Sequence, residues 1–189
     1  MITVENQLFS LHTRHTSYLF RVMETGHLEH LYYGRKIHPA IDGLMEQHAF
    51  APGNTNIYDS EHLQFSLEDT CLEMSSFGKG DIREPFVELT LSDGSETSDF
   101  LFEKFEQGTG KEEFETLPGS YDESGEVEWL GVTLRDKNSG VILELHYYVY
   151  EDCDVITRSA KLINESGDVV KLNRLMSLQL DLEPSDYVF

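Results

Sequence analysis

Carboxylates are the reactive groups this sequence offers in greatest number, with 35 Asp and Glu in 189 residues. Two of them, correctly separated, can serve as acid and base or as acid and nucleophile in the hydrolysis of a glycoside. Retention needs the two carboxyls about 5–5.5 Å apart, and inversion about 6.5–9.5 Å. Spacing along a chain of strands does not fix such a distance, so no pair is singled out and no catalytic residue is assigned. Metal chemistry fares no better. Glu151-Asp152-Cys153-Asp154 gathers three carboxylates and a thiol. Alternate residues of a strand point apart, however, and the segment lacks the glycine turn and ligand spacing of a calcium loop. His12 with His15, and His27 with His30, are spaced i, i+3. That spacing aligns ligands on a helix, whereas these residues fall in turns and strands, where they are read as solvated or core side chains. No metal and no cofactor is expected. No GxSxG elbow is present, and neither Cys71 nor Cys153 lies in a nucleophile motif.

The most distinctive short segment is Phe77-Gly78-Lys79-Gly80-Asp81-Ile82-Arg83-Glu84-Pro85. Its GxG lacks the third glycine and the following helix of a dinucleotide site. The two glycines permit backbone conformations closed to other residues, and Pro85 stiffens the exit. Asp81 and Arg83 bring opposite charges together. They are read either as the internal contact of a tight bend or as a surface pair touching a sugar or a neighbouring subunit. These two are the only site residues singled out. Tyr32, Tyr33, Tyr58, Phe77 and Trp129 could each offer a flat face to a sugar. Trp129 alternates within a strand and is assigned to the core, whereas Tyr58, in a long connection, is assigned to the surface.

The elements that would position these groups are strands. In residues 141–150, Val141, Leu143, Leu145, Tyr147 and Val149 share one face, while Glu144, His146 and Tyr148 share the other. Residues 127–135 form a second such run, and Asp136-Lys137-Asn138-Ser139-Gly140 between them predicts a hairpin. Further strands are predicted over 7–13, 17–23, 28–34, 86–91, 154–163, 169–172 and 175–182, with turns at 92–95 and 164–168. Helix signals are nearly absent. The expectation is an all-β fold, a large antiparallel β-sandwich. Two long connections interrupt it, 35–79 and 108–126. The first is read as functional or interface-forming, the second as exposed.

Composition bounds the partners. A formal net charge of −21 repels phosphate backbones, so neither nucleic acid nor an anionic membrane is expected to bind. No stretch approaches the roughly 20 apolar residues of a membrane span, and the first residues lack the basic and apolar regions of a secretory signal. Two cysteines without a CxxC are read as free thiols in a reducing cytoplasm. The last residues, Asp186-Tyr187-Val188-Phe189, are apolar or aromatic in their final three positions. Such a stop resembles a cut inside a longer polypeptide, since natural termini tend to fray in water.

Phe65-Ser66-Leu67-Glu68, followed by Ser76-Phe77-Gly78-Lys79-Gly80-Asp81-Ile82-Arg83-Glu84-Pro85, resembles the "FSLD … YGxGDFRxP" stretch of family 36 α-galactosidases. Residues 155–164 and 26–34 are similar to two further recurring stretches, and the resemblance spans essentially the whole chain. Glu68 stands where an Asp is usual, and Ile82 where an aromatic is usual. The resemblance implies a supersandwich shaped like the galactose-mutarotase domains, with residues 1–189 preceding a (β/α)8 barrel that holds the catalytic carboxylates of a retaining enzyme. It further implies hydrolysis of terminal α-galactosides of the melibiose or raffinose type, and a homo-oligomer (a tetramer). In such tetramers N-terminal loops border a neighbouring active site. The 35–79 connection and the 78–85 bend are the segments to which this applies. Two rival readings come from other classes. One is a free-standing carbohydrate-binding β-sandwich module, and the other a mutarotase-like enzyme using a His and a carboxylate.

Overall fold

The computed structural model describes residues 1–38, 43–44, 56–112 and 119–182. Within them the chain forms ten strands and two short 3₁₀ turns, at Leu67–Asp69 and Glu151–Cys153. The strands are β1 (Ile2–Glu5), β2 (Leu8–His12), β3 (Thr16–Val22), β4 (Leu28–Arg35), β5 (Val87–Thr90), β6 (Phe100–Thr109), β7 (Glu128–Asp136), β8 (Ile142–Tyr150), β9 (Val155–Ile163) and β10 (Lys171–Leu175). They pair antiparallel in three sheets, ordered β1-β2-β3-β4, β6-β7-β8-β9 and β10-β5. The all-β antiparallel expectation holds.

Local chemistry explains the turns. Asn6 and Gln7 both adopt positive φ, 49° and 63°, in a two-residue connection whose flanks, Glu5 and Leu8, are ladder partners. This is the geometry that matches the twist of a hairpin. The β7–β8 hairpin forms where the sequence predicts it. Asp136 Oδ2 accepts from the Ser139 amide at 2.8 Å and from the Ser139 hydroxyl, and Gly140 takes φ +75°.

Alternation then decides the core. Phe9, Leu11, Tyr18 and Phe20 of the first four-stranded sheet face Leu130, Val132, Leu134, Leu143, Leu145 and Tyr147 of the second, with Phe86, Val87 and Leu89 closing one end. The ladder partners Phe9 and Phe20 stack at 4.7 Å between centroids, and Phe20 stacks on Tyr147 at 5.2 Å. Each fully buried large side chain of this kind contributes about 1.5–3 kcal/mol. A satellite cluster of Tyr58, Phe65, Leu67 and Leu72 lies beneath the second half of the 35–79 connection.

Several expectations need correction. Strand β1 has only four residues, too few for its alternation to stand out, and β6 was not predicted at all. In β6 a register shift between Phe102 and Lys104 breaks the period of two, and the charged residues of this sheet-edge strand hide its apolar face. The polar connection predicted to begin at 108 therefore begins two residues later; of its described residues, 110–112 are half-buried to exposed and 119–126 are largely exposed. Residues 176–182 do not continue β10 as a strand. Trp129 is not in the core, because its neighbours Leu130 and Val132 take the inward positions and leave it half-buried on the outer face. Tyr58 is buried rather than exposed. Cys71 and Cys153 form no disulfide with one another. Of the first long connection, 39–42 and 45–55 lie outside the described residues, as does the apolar stop at 186–189.

Candidate functional site

Gly78 and Gly80 take φ +94° and +91°, and these two left-handed residues turn the chain sharply enough to fold Arg83 back on Asp81. Arg83 Nε and Nη2 donate to the two oxygens of Asp81 at 2.8 and 2.9 Å, and the Arg83 amide donates to Oδ1 at 3.0 Å. The guanidinium goes further. Nη2 donates to the Leu67 carbonyl at 2.8 Å, and Nη1 to Asp181 Oδ2 at 2.5 Å. Asp181 Oδ2 also accepts from the Leu72 amide and from Gln179 Nε2, each at 3.1 Å. Burial alone would favour the neutral guanidine. Hydrogen bonding to Asp81 and the charge of Asp181 outweigh it and raise the Arg83 pKa. One side chain thus ties the bend, the 3₁₀ turn at Leu67 and the 176–182 segment into a single corner. Asp81 is buried beneath it, whereas Ile82, between the two, is 83% exposed.

Lys79 anchors the same bend from the other side. Its Nζ lies 3.7 Å from Asp99 Oδ2 and 4.8 Å from the centre of the Tyr58 ring. Asp99, at the foot of β6, accepts from the Tyr58 hydroxyl at 2.8 Å and lies 3.1 Å from His27 Nε2, while His27 Nδ1 meets Thr25 Oγ1 at 2.9 Å. Burial would raise the Asp99 pKa, but hydrogen bonds from His27 and then Tyr58 hold it below the ordinary carboxylate range. Burial, followed by the Asp99 bond, pushes the Tyr58 hydroxyl up.

A second buried carboxylate, Glu73, organises the centre of the domain. It accepts from Tyr18 of β3 at 2.7 and 2.8 Å and from Tyr147 of β8 at 2.7 Å. Arg158 Nη1 of β9 lies 2.9 Å away, and His30 Nδ1 of β4 is at 3.2 Å. The Arg158 guanidinium is sandwiched against the Tyr147 ring at 5.0 Å and donates to the Gln179 carbonyl at 3.1 Å. Burial opposes ionisation of Glu73, but the charge of Arg158 and then the His30 hydrogen bond depress its pKa below the ordinary value. Burial likewise works against the Arg158 charge, and the Glu73 carboxylate more than restores it. The hub therefore holds an ion pair inside a ring of hydroxyls, linking both large sheets to the 176–182 segment.

These shifts set a pH dependence. Both carboxylates have folded pKa values below their unfolded ones, about 4.3 for Glu and 3.9 for Asp. In that window the unfolded chain binds more protons, so stability rises with pH. Their contribution is complete above about pH 5 and is lost as pH falls through the folded values. Asp154, lowered to about 2 by His15 and Thr13, extends the window downward. Urea midpoints taken from pH 7 to pH 3 should stay level on this account down to about pH 5 and then drop. A midpoint unchanged at pH 3 would contradict it.

The structure brings the sequence-singled residues Asp81 and Arg83 into direct contact. It adds Asp181, Glu73, Asp99, His27, His30, Tyr147 and Arg158, none of which sequence reading assigned to a site. A buried His–carboxylate pair occurs twice, His27–Asp99 and His30–Glu73, but a mutarotase-like reaction needs such a pair open to sugar, and these are closed. Among the described residues no group of three or more His, Cys, Asp or Glu side chains could hold a metal ion, and no helix is long and apolar enough to cross a membrane.

An antiparallel all-β domain, pinned by a buried Glu–Arg hub and a double-glycine bend, is the class that fold and site define. Residues 26–189 match the glycosyl hydrolase family 36 N-terminal domain, and the chain belongs to that family. It is 30% identical over 188 residues to the bifunctional alpha-galactosidase/sucrose kinase AgaSK of Mediterraneibacter gnavus, covering 96% of this chain and 19% of that protein. Against alpha-galactosidase AgaA of Geobacillus stearothermophilus the identity is 30% over 192 residues, covering 97% and 25%. Among solved structures, the alpha-galactosidase from Lactobacillus brevis superposes with a TM-score of 0.89 at 34% identity, over 95% of this chain and 25% of that one. AgaA variants have been solved in complex with raffinose (TM-score 0.85, 30% identity, 95% and 25% covered) and with 1-deoxygalactonojirimycin (0.82, 30%, 92% and 24%). The chain spans about a fifth to a quarter of the length of the relatives it matches.

Proposed function

We propose that this chain is the non-catalytic N-terminal domain of a retaining α-galactosidase acting on terminal α-galactosides of the melibiose or raffinose type. The observation that carries the reading is the coverage. Nearly all of this chain matches about a quarter of each enzyme, which leaves the remainder for a (β/α)8 barrel downstream of residue 189. The burial of Glu73, Asp81 and Asp99 supports placing the chemistry there. Each is enclosed and hydrogen-bonded within the domain, out of reach of a glycosidic oxygen. Two cysteines that form no disulfide with one another are compatible with a reducing cytoplasm as its location.

The domain's contribution is positional. Phe77, just before the 78–85 bend, and Ile82 within it face solvent, as do Leu178 and Leu182 of the 176–182 segment. Exposed apolar side chains on a corner locked by Arg83 and Asp181 suit a surface that packs against the barrel or a neighbouring subunit of a homo-oligomer, a tetramer on the family pattern. Asp81 and Arg83 act there as positioning residues that hold Ile82 outward. Arg83→Ala in the full-length enzyme should lower kcat/KM on raffinose about tenfold, shift the oligomer toward smaller species, or do both. Unchanged kinetics with unchanged sedimentation would remove this role.

A further inference from the structure

The outer face of the β6–β9 sheet carries a groove of about 560 Å³. Register dictates what lines it. Because Leu130, Val132 and Leu134 of β7 point to the core, Trp129, Gly131 and Thr133 point away. Ladder pairing sets Glu106, Gly131, His146 and Ser159 in one row across the four strands, and Lys104, Thr133, Glu144 and Lys161 in the next.

Two glycines fix the attitude of the Trp129 indole. A Cβ at Gly108 would lie 2.8 Å from Nε1, and one at Gly131 would lie 3.5 Å from Cζ3. The ring therefore lies down over the backbone of β6 and β7, in space that side chains would otherwise fill, and forms a flat floor. Polar groups stand beside it. Lys161 lies 3.3 Å from Glu144, and Lys104 donates to Glu106 at 2.9 Å. His146 Nε2 is 3.4 Å from Glu144 Oε2, without the alignment of a hydrogen bond, and is enclosed with no hydrogen-bond partner. The Ser159 hydroxyl opposite it is in the same condition. Both atoms are closed to solvent beneath the groove, so the charged groups open to a ligand beside the indole are Glu144 and Lys161, 26% and 64% exposed.

We propose that this groove is a saccharide-binding subsite, in which one ring of a neutral oligosaccharide stacks on Trp129 while its hydroxyls meet Glu144 and Lys161. A pyranose has an apolar C–H face for the indole and a rim of donors and acceptors for the mixed polar edge, the combination that ligand pockets present. The charges around the floor balance, since Lys104, Lys111 and Lys161 face Glu106, Glu112 and Glu144. That neutrality, within a chain of net charge −21, favours an uncharged ligand over an anion. The subsite is independent of any barrel and goes beyond the proposed supporting role.

The test uses the full-length protein saturated with 1-deoxygalactonojirimycin, so that a galactoside-cleaving centre is occupied, and titrates raffinose by calorimetry. The expected result is a remaining raffinose site with a dissociation constant of about 1 mM. It should weaken at least about tenfold in Trp129→Ala, and likewise in Gly108→Ala, which keeps the indole but tips it. Trp129→Phe should stay within about threefold of the unaltered protein. Absence of the site, its persistence in both weakening variants, or a change of oligomeric mass in Trp129→Ala without loss of binding would overturn the proposal. The last outcome would make the face an assembly surface. Binding of the imino sugar reports separately on the α-galactosidase reading.

Discussion

Replacing Glu73 by Gln is expected to destabilise the domain by about 3–5 kcal/mol, the cost of leaving a buried charge without its partner. Glu73 is fully enclosed, and Arg158 opposite it is almost so. Gln keeps the shape and can still accept from one tyrosine, so the loss falls on the charge. Arg158 would retain its hydrogen bonds to Tyr18 and the Gln179 carbonyl, yet face no carboxylate. In thermal unfolding this corresponds to a fall of roughly 6–20 °C for a domain of this size. Arg158→Met should cost a similar amount, for it strands the carboxylate instead. The double variant Glu73→Gln/Arg158→Met should be clearly more stable than the sum of the two losses predicts, because a buried pair removed together leaves no orphan. Strict additivity would show that the two charges do not stabilise one another and that the hub is held by its hydroxyls alone.

Gly78→Ala should cost about 2–4 kcal/mol, from two sources. At φ +94° an L-residue is strained by about 1–3 kcal/mol. The added Cβ would also lie 2.5 Å from Thr97 Oγ1 and 2.9 Å from Thr97 Cα. A hydroxyl can rotate away, but a backbone carbon cannot, so the bend or the strand that follows it must shift, at a further cost of about 1 kcal/mol or more. Gly94 provides the comparison. Its φ is +83° but it has open space around it, so Gly94→Ala carries the backbone strain alone. Urea unfolding of the two variants separates the terms. If Gly78→Ala is no more damaging than Gly94→Ala, the contact with Thr97 is not limiting and the first glycine of the bend serves only as a turn. A displaced bend should also expose Asp99, since Lys79 lies between Gly78 and Gly80 and packs over Tyr58.

Much of this was legible before any coordinates. The 141–150 run is a strand because its apolar residues recur every second position, and the tertiary fold has no reason to override that pattern. The β7–β8 turn is readable because Asp136, Ser139 and Gly140 carry local chemistry that needs no distant partner. The resemblance in the 65–68 and 76–85 segments led to the family that the match over residues 26–189 establishes. The failures share a cause. Strand β6 escaped because a bulge interrupts its period, and 176–182 was misread as a strand because alternating leucines there meet no ladder. That segment is instead pinned by Ser75, Arg83 and Arg158 from elsewhere in the chain. Trp129 is assigned to the core as an aromatic in an alternating strand, whereas register, set by Leu130 and Val132, turns it outward.

The sequence by itself determined the fold class, most of the strands, the double-glycine bend and the family, because periodicity, turn residues and motif order are local properties of the chain. Only the tertiary structure decided which charges meet. Glu73 and Arg158 are 85 residues apart, Arg83 and Asp181 98 apart, and His27 and Asp99 72 apart. No spacing rule links such positions. They come together because the burial of two apolar faces brings distant strands and loops into register, and the charges inside must then find one another.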